Sequence, residues 1–321
     1  MEPDIAPLAP QIEPRMTQPS PPSQGDPMRV FDRRLVRLRR DRAAATVAQV
    51  APVLEAAADR LLDRLDDTTR RFSRALEIGG RGVVAPLLRA RGIPFVVSMD
   101  LSARMVAGAG GTPLAGDEEW LPFAPESFDL VVANLSLHWV NDLPGALVQI
   151  RRCLRPDGLF LASLPGLGTL QELREALAGA EAELRGGLSP RLSPFPELRD
   201  LAGLLQRAGF ALPVADAEAL PVRYRSPMAL FRDLRAAGET NAVLARDPCT
   251  PPRALLPLAA SRLPEDAEGI PASFRLLVMT GWSPHESQSK PARPGSATVR
   301  LADALGVEEQ RAGEAAGRGG G

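Results

Sequence analysis

Apolar positions change their period along the chain. Residues 28–42, MRVFDRRLVRLRRDR, put Phe31, Leu35 and Leu38 at i, i+4 and i+7, the spacing of one helix face, with Arg33, Arg34, Arg37 and Arg40 opposite. A second helix is expected over about 43–66, with Val47, Val50, Leu54, Leu61 and Leu65 inward. From residue 75 the pattern shortens. Apolar runs at 75–78, 95–99, 128–134 and 158–164 alternate with helical stretches, and later strands are expected at about 212–216 and 273–280. Strand and helix in alternation predict an α/β fold on a parallel sheet with crossovers. Helical segments at about 168–195 and 226–262 fall outside that rhythm and read as insertions over the sheet. Residues 1–27 are proline-rich and carry little apolar material, so disorder is expected there. The glycine-rich tail 307–321 is expected to be flexible, leaving one continuous domain over 28–306.

Composition narrows the classes. A chain of 321 residues, 45% apolar, can fill one large α/β core. It contains no run of 18 apolar residues, so no stable membrane insertion is expected. The opening MEPDIAPLAP lacks a basic start followed by an apolar stretch, so no secretory signal is expected. Cys153 and Cys249 match no metal or redox spacing and suit a reducing compartment. A net charge of −1 predicts no general attraction to nucleic acid. Lys290 is the only lysine, and the Arg, Ala, Leu, Gly and Pro content suggests a GC-rich bacterial genome; a cytoplasmic location is expected.

Candidate chemistry begins where the first strand ends. Glu77-Ile78 runs into Gly79, Gly80, Arg81 and Gly82, and a helix follows. Glycines at such a turn let a ligand approach the backbone, and a helix N-terminus offers N–H groups to it. Asp100, with Leu101 beside it, stands 21 positions after Gly79 at the next strand end, where a carboxylate accepts both hydroxyls of a ribose. A helix cap is the plainer role for Asp100. A dinucleotide would want a third glycine in the turn for pyrophosphate, but here Val83 and Val84 follow. Glu77 would repel pyrophosphate and suits the ammonium of a methionine moiety, which favours S-adenosylmethionine (SAM). Asp117 and Glu118 precede Leu121-Pro122-Phe123 and could accept from an adenine amino group; a solvated turn is the alternative.

Methyl transfer needs placement of the acceptor more than anything else, and a base only where the acceptor must lose a proton. Asn134 through Asp142 follow the fourth strand, where open α/β sheets place ligands. Asn134 and His138 are the catalytic candidates, His138 because imidazole suits proton transfer near neutrality; a histidine that merely holds its loop is the alternative. Trp139 reads as packing or pocket wall. His285, the second of two histidines, could on paper complete an iron site with His138 and Asp142 or Glu286, but nothing in the spacing asks for it, and no metal is expected. Tyr224, the only tyrosine, follows a strand and reads as packing or as pocket lining.

The stretches ALEIGGRG, MDLSARMV, GDEEWLPFAPESFDLVVANLSLHWVNDLPGAL and IRRCLRPDGLFLASLPG resemble Class I SAM-dependent methyltransferases. Within these the chain resembles the biotin-pathway malonyl-carrier methyltransferase group. It is also similar to a complex I assembly factor of that group, a protein-arginine hydroxylase, and here the likeness extends to MRVFDRRLVRLRRDRAA, TLQELREAL, GGLSPRLSPFPELRDLAGLLQRAGF and MTGWSPHESQSKPARPGSATV. The resemblance spans about 28–305 and implies a Rossmann-like, mostly parallel seven-stranded sheet with a helical cap, and SAM at the ends of the first strands. It implies methyl transfer to a small, carrier-bound or protein acceptor. The alternative it implies is arginine hydroxylation or a non-enzymatic role in complex I assembly, with a complex I subunit as partner. The family turn reads D/E-x-G-x-G-x-G, and here either one residue is missing or Arg81 replaces the second glycine. Arg81 would either crowd the cofactor or bind its carboxylate. The basic face of residues 29–42 is expected to meet an acidic partner. The segments 168–195 and 281–297, with Arg191, His285, Glu286, Gln288 and Arg293, are expected to shape the acceptor site.

Overall fold

The computed structural model describes residues 29–288 and 299–306. The chain forms two units, Met1–His285 and Glu286–Gly321, of which the second shows one short helix, α10 (Leu301–Leu305). The expected disordered segment 1–27, the flexible tail 307–321 and Arg293 lie outside the described residues.

In the first unit, α1 (Arg33–Ala43) and α2 (Ala51–Leu62) precede β1 (Arg74–Ile78), α3 (Val84–Ala90), β2 (Phe95–Asp100), α4 (Ala103–Val106) and β3 (Thr112–Ala115). Then come β4 (Phe128–Asn134), α5 (Leu143–Cys153), β5 (Leu154–Pro165), α6 (Gln171–Arg185) and α7 (Leu198–Arg207). The unit closes with β6 (Ala211–Tyr224), α8 (Pro227–Ala236), α9 (Leu255–Arg262) and β7 (Ile270–Trp282). The strands form one seven-stranded sheet in the order β3-β2-β1-β4-β5-β7-β6. All pairs are parallel except those of β7, which runs antiparallel to both β5 and β6. This is the mostly parallel α/β sheet expected. β1 lies between β2 and β4, so the strand order reverses there, and a crevice opens past the carboxyl ends of β1 and β4.

Both faces of the sheet are covered, which is why Leu130–Ala133 of β4 are apolar without alternation. Its Val131 and Ala133 face Leu147 and Ile150 of α5 and Leu201 and Leu205 of α7. Leu130 and Val132 face Leu54 and Leu61 of α2 and Leu88 of α3. The two insertions pack together as a cap, Leu173 and Leu177 of α6 with Leu230 of α8 and Leu255 and Ala259 of α9.

Three expectations need correction. The helix over 43–66 is broken: 3-10 turns at Val47–Val50 and Asp63–Leu65 flank α2, which starts at Ala51 with Pro52 in its first turn, where a missing N–H costs nothing. Helix α1 begins at Arg33, capped by the Asp32 side chain, which accepts from Leu35 N at 3.1 Å. Its buried face is Arg33, Val36, Arg40 and Ala43, whereas Leu38 is 42% exposed. The helix is therefore turned about its axis relative to the apolar reading, because two of its arginines have partners inside. β3, four residues with a proline and little burial, left no apolar run to read. β6 is far longer than the expected 212–216; it is the edge strand, where Pro213 and Pro221 are tolerated.

Phe160 is fully buried on β5 and stacks on Phe210 with ring centroids 5.3 Å apart. Phe160→Ala should cost about 3–5 kcal/mol of unfolding free energy in urea; a loss below about 1 kcal/mol would contradict this core.

Candidate functional site

The crevice is built by three strand ends and two helices. After β1 the chain turns through Gly79 at φ +80°, where an added Cβ would sit 2.2 Å from Ser136 Cβ, so only glycine fits. A Cβ on Gly80 would meet Ala109 and Ser98 at 3.0 Å, and Gly82 has φ +86°. The N–H groups of Gly79 and Gly80 donate to Met99 O at 2.7 and 3.0 Å, which ties the turn to β2. Glu77, one residue before the end of β1, is buried and accepts from Ser98 Oγ at 2.5 Å. Burial pushes its carboxyl up from 4.5 to about 7, against the Ser98 hydrogen bond and the nearby Arg81.

Asp100 ends β2, fully buried, with Oδ1 accepting from Ser102 N at 2.7 Å. Its Oδ2 accepts from Arg40 Nη1 at 3.0 Å, and the same nitrogen donates to Glu118 Oε1 at 2.7 Å. Arg33 donates to Glu118 Oε2, to Asp117 Oδ1 at 2.5 Å and to Trp139 O at 3.2 Å. Burial alone would raise Glu118, but Arg33 and Arg40 together outweigh it and hold it at about 2. Asp100 shares its single arginine with Glu118, so burial and that neighbouring carboxylate lift it above the ordinary range. The arginines of α1 divide: Arg33 and Arg40 point inward and are nearly buried, while Arg34 and Arg37 are exposed.

Helix α1 is fastened at its start. Val30 N and Phe31 N both donate to Asn141 Oδ1 at 2.8 Å, and the Phe31 ring meets Trp139 edge-on at 5.3 Å, with Leu101 packed beside them. Arg81 fills the turn from the other side. It donates to Glu239 Oε1 at 3.0 Å, to Asn134 O at 3.0 Å and to Leu135 O. The space left along Glu77, Gly79, Arg81 and Asn134 is about 10 Å³. The Asn134 side chain is engaged elsewhere, accepting from Ser163 Oγ at 2.8 Å and donating to Leu54 O at 3.0 Å; its backbone carbonyl is the atom that receives Arg81.

Beyond Arg81 lies a cavity of about 290 Å³, walled by Val53, Leu54, Leu170, Leu173, Phe231 and Phe274 among others. His138, Trp139, Glu239, Asp233 and Tyr224 also line it. His138 Nε2 lies 2.8 Å from Glu239 Oε2, which accepts from Trp139 Nε1 at 2.7 Å as well. Burial would raise Glu239, but His138, Arg81 and Arg40 outweigh it and keep the carboxyl at about 2. Tyr224 donates to Asp233, and burial with that carboxylate pushes its phenol up to about 12. The cap segment expected to shape an acceptor site lines this cavity through Thr169, Leu170 and Arg191, the last paired with Glu181 at 2.5 Å. Of the tail motif 281–297, residues 281–285 contribute none of the lining residues, and 289–298 lie outside the described residues.

The structure thus gathers Glu77, Gly79, Gly80, Gly82, Asp100, Glu118, Asn134 and His138 around one crevice, with Asp117 at its rim. Sequence reasoning missed Glu239, which is 101 residues from His138, and the inward role of Arg33 and Arg40. No short-range spacing marks such pairs.

A family model described as a methyltransferase domain matches residues 49–213. The chain is 38% identical over 294 residues to the mitochondrial arginine-hydroxylase NDUFAF5 of Danio rerio, covering 86% of this chain and 89% of that protein. The human protein of that name is 39% identical over 290 residues, covering 86% and 83%. A malonyl-acyl-carrier-protein O-methyltransferase of Laribacter hongkongensis is 33% identical over 274 residues, covering 79% and 90%. The chain belongs to the Class I SAM-dependent methyltransferase family. Within it, the chain is related to both of these groups.

Glu77 gives a pH test. Its folded pKa exceeds the unfolded 4.5, so the folded protein holds this proton more tightly. The stability it contributes is complete below pH 4.5 and is lost as pH rises through about 7. Glu77→Gln removes that loss, so the variant should gain stability relative to wild type between pH 5 and pH 8. Urea midpoints whose difference is the same at both pH values would refute the shift.

Proposed function

We propose that the chain binds SAM in the crevice and modifies an acceptor held in the adjoining cavity. The observation that carries this is the convergence of buried Glu77, Asp100 and Glu118 at the strand-order reversal, beside an apolar cavity of about 290 Å³. The donor requirements of the cofactor fit this set: Asp100 suits the ribose hydroxyls, Asp117 and Glu118 the adenine amino group, and Glu77 the ammonium. When bound, SAM supplies an electrophilic methyl group. The carboxylates are held by Arg33 and Arg40 in the conformation described, so cofactor entry requires α1 to withdraw its guanidinium groups. Affinity is then reduced by the fraction of molecules in which α1 is docked.

Arginine hydroxylation is the second reading. Identity is higher to the arginine-hydroxylase relatives, and that is the observation behind this reading. A subunit of respiratory complex I is the partner we propose, met in the cytoplasm and without nucleic acid. Among the described residues no helix is long and apolar enough to cross a membrane.

Calorimetry with SAM tests the cofactor site. Losing a hydrogen bond to a charged group costs about 1.5–3 kcal/mol, so Asp100→Ala should weaken binding roughly 10- to 150-fold. Equal affinity in two folded proteins would remove Asp100 from the site, and no binding by wild type at millimolar SAM would remove the cofactor reading. Amide hydrogen exchange across residues 33–43 should speed up on adding SAM; tight binding with unchanged exchange would mean that cofactor and docked α1 coexist. The mass of the modified protein in cells with and without this chain separates one added methyl group from one added oxygen.

A further inference from the structure

The hydrogen bonds around Glu239 define the protonation of His138. Trp139 Nε1 and the Arg81 guanidinium can only donate, so Glu239 accepts from both, and its charged neighbours hold its carboxyl well below the ordinary range, ionised near neutrality. An ionised carboxylate cannot donate. The 2.8 Å contact from His138 Nε2 to Glu239 Oε2 is therefore an N–H donated by the imidazole. The other ring nitrogen, Nδ1, is buried with no hydrogen-bond partner, and the ring is part of the cavity wall. In the neutral ring one nitrogen carries the proton and the other the lone pair, and the proton donated to Glu239 is on Nε2. Nδ1 is left carrying the lone pair.

We propose that Glu239 is a positioning residue that fixes His138 as the Nε2–H tautomer, so that Nδ1 is the base for an N–H-bearing acceptor in the cavity. The role of the cavity as acceptor site rests on the function proposed above; the tautomer does not. In the step, the N–H bond of the acceptor breaks and its electron pair stays on the acceptor nitrogen. The proton joins Nδ1, and the imidazolium formed is held through Nε2–H against the Glu239 carboxylate. The arrangement follows the logic by which a carboxylate orients a catalytic histidine through its far nitrogen. Glu239 itself does not serve as the base, because its two oxygens already accept three donors.

With two histidines in the chain, long-range proton–nitrogen NMR on histidine-labelled protein resolves both, and His285→Ala assigns them. At pH 8, His138 should show a protonated Nε2 and a bare Nδ1, a wild-type measurement that needs no variant to fold. An Nδ1–H tautomer or a doubly protonated ring would overturn the proposal. Glu239→Gln should shift the ring towards the other tautomer, and Glu239→Asp should retain the wild-type one; an unchanged tautomer in the Gln variant also overturns it. In the modification reaction followed by product mass, His138→Gln and Glu239→Gln should each slow turnover about 10²- to 10⁴-fold, the range for a lost general base. The double variant should be no slower than the worse single one. Folded Glu239→Gln protein turning over at the wild-type rate would remove the positioning role. If wild type gives no product, the cavity reading fails, while the tautomer result stands by itself.

Discussion

The crevice depends on matching buried charge. Three carboxylates, Glu77, Asp100 and Glu118, stand at the ends of parallel strands in a place without water to solvate them. Taking such groups out of water costs several kcal/mol each unless a partner with good geometry is supplied. Glu77 meets the cost by holding a proton. Glu118 and Asp100 meet it with Arg33 and Arg40, brought in by a helix that packs on the rest of the fold through few apolar side chains. The position of α1, the seating of Phe31 on Trp139 and the turn of Asn141 towards the chain start all follow from delivering those two guanidinium groups. Removing one partner from such a cluster is more disruptive than never having built it.

Much of the sheet was legible because its signals are local. Apolar runs of four to seven residues bounded by Gly, Pro and Asp marked β1, β2 and β4 closely, and the step from Gly79 to Asp100 takes in one helix and one strand. The candidate nucleotide-end residues stand out in the sequence for the same reason. What the sequence hid were contacts made by tertiary folding. Arg40 reaches Asp100 across 60 residues and His138 reaches Glu239 across 101, and no periodicity encodes either. The α1 error has the same origin. Arginine is almost always a surface residue, so Phe31, Leu35 and Leu38 were given the inner face and Arg40 the outer. β3 and the outer half of β6 escaped because an edge strand with prolines and half-buried residues carries no distinctive pattern.

The cofactor end and the cavity are made by different parts of the chain. Residues 74–134 provide the glycine turn and the acidic set, whereas the cavity walls come from the start of α2 and from insertions after β5 and β6. Two residues tie these parts together. Arg81 leaves the glycine turn to meet Glu239 at the end of α8, and Glu239 in turn holds His138 beyond β4. The shape of the cavity can therefore change through the insertions without disturbing the sheet, but not without respecting Glu239.

That the cations over the acidic set are arginines and not lysines or histidines has a further result. A guanidinium stays charged at any pH a cell experiences, and in this cluster its neighbouring carboxylates bind its proton still more firmly, raising Arg33 and Arg40 above their ordinary value. Acidification within the physiological range leaves Glu118 ionised, and alkalinity does not discharge the guanidinium groups. The arginine contacts to Glu118 are consequently insensitive to proton concentration, and Asp100, lifted above the ordinary range, is the member of the cluster that can take up a proton. The opening of the cluster responds to ionic strength only weakly, because the charges are shielded from solvent ions. What remains besides is direct competition by another set of donors for the same oxygens, or mechanical withdrawal of the helix by whatever engages its outer face.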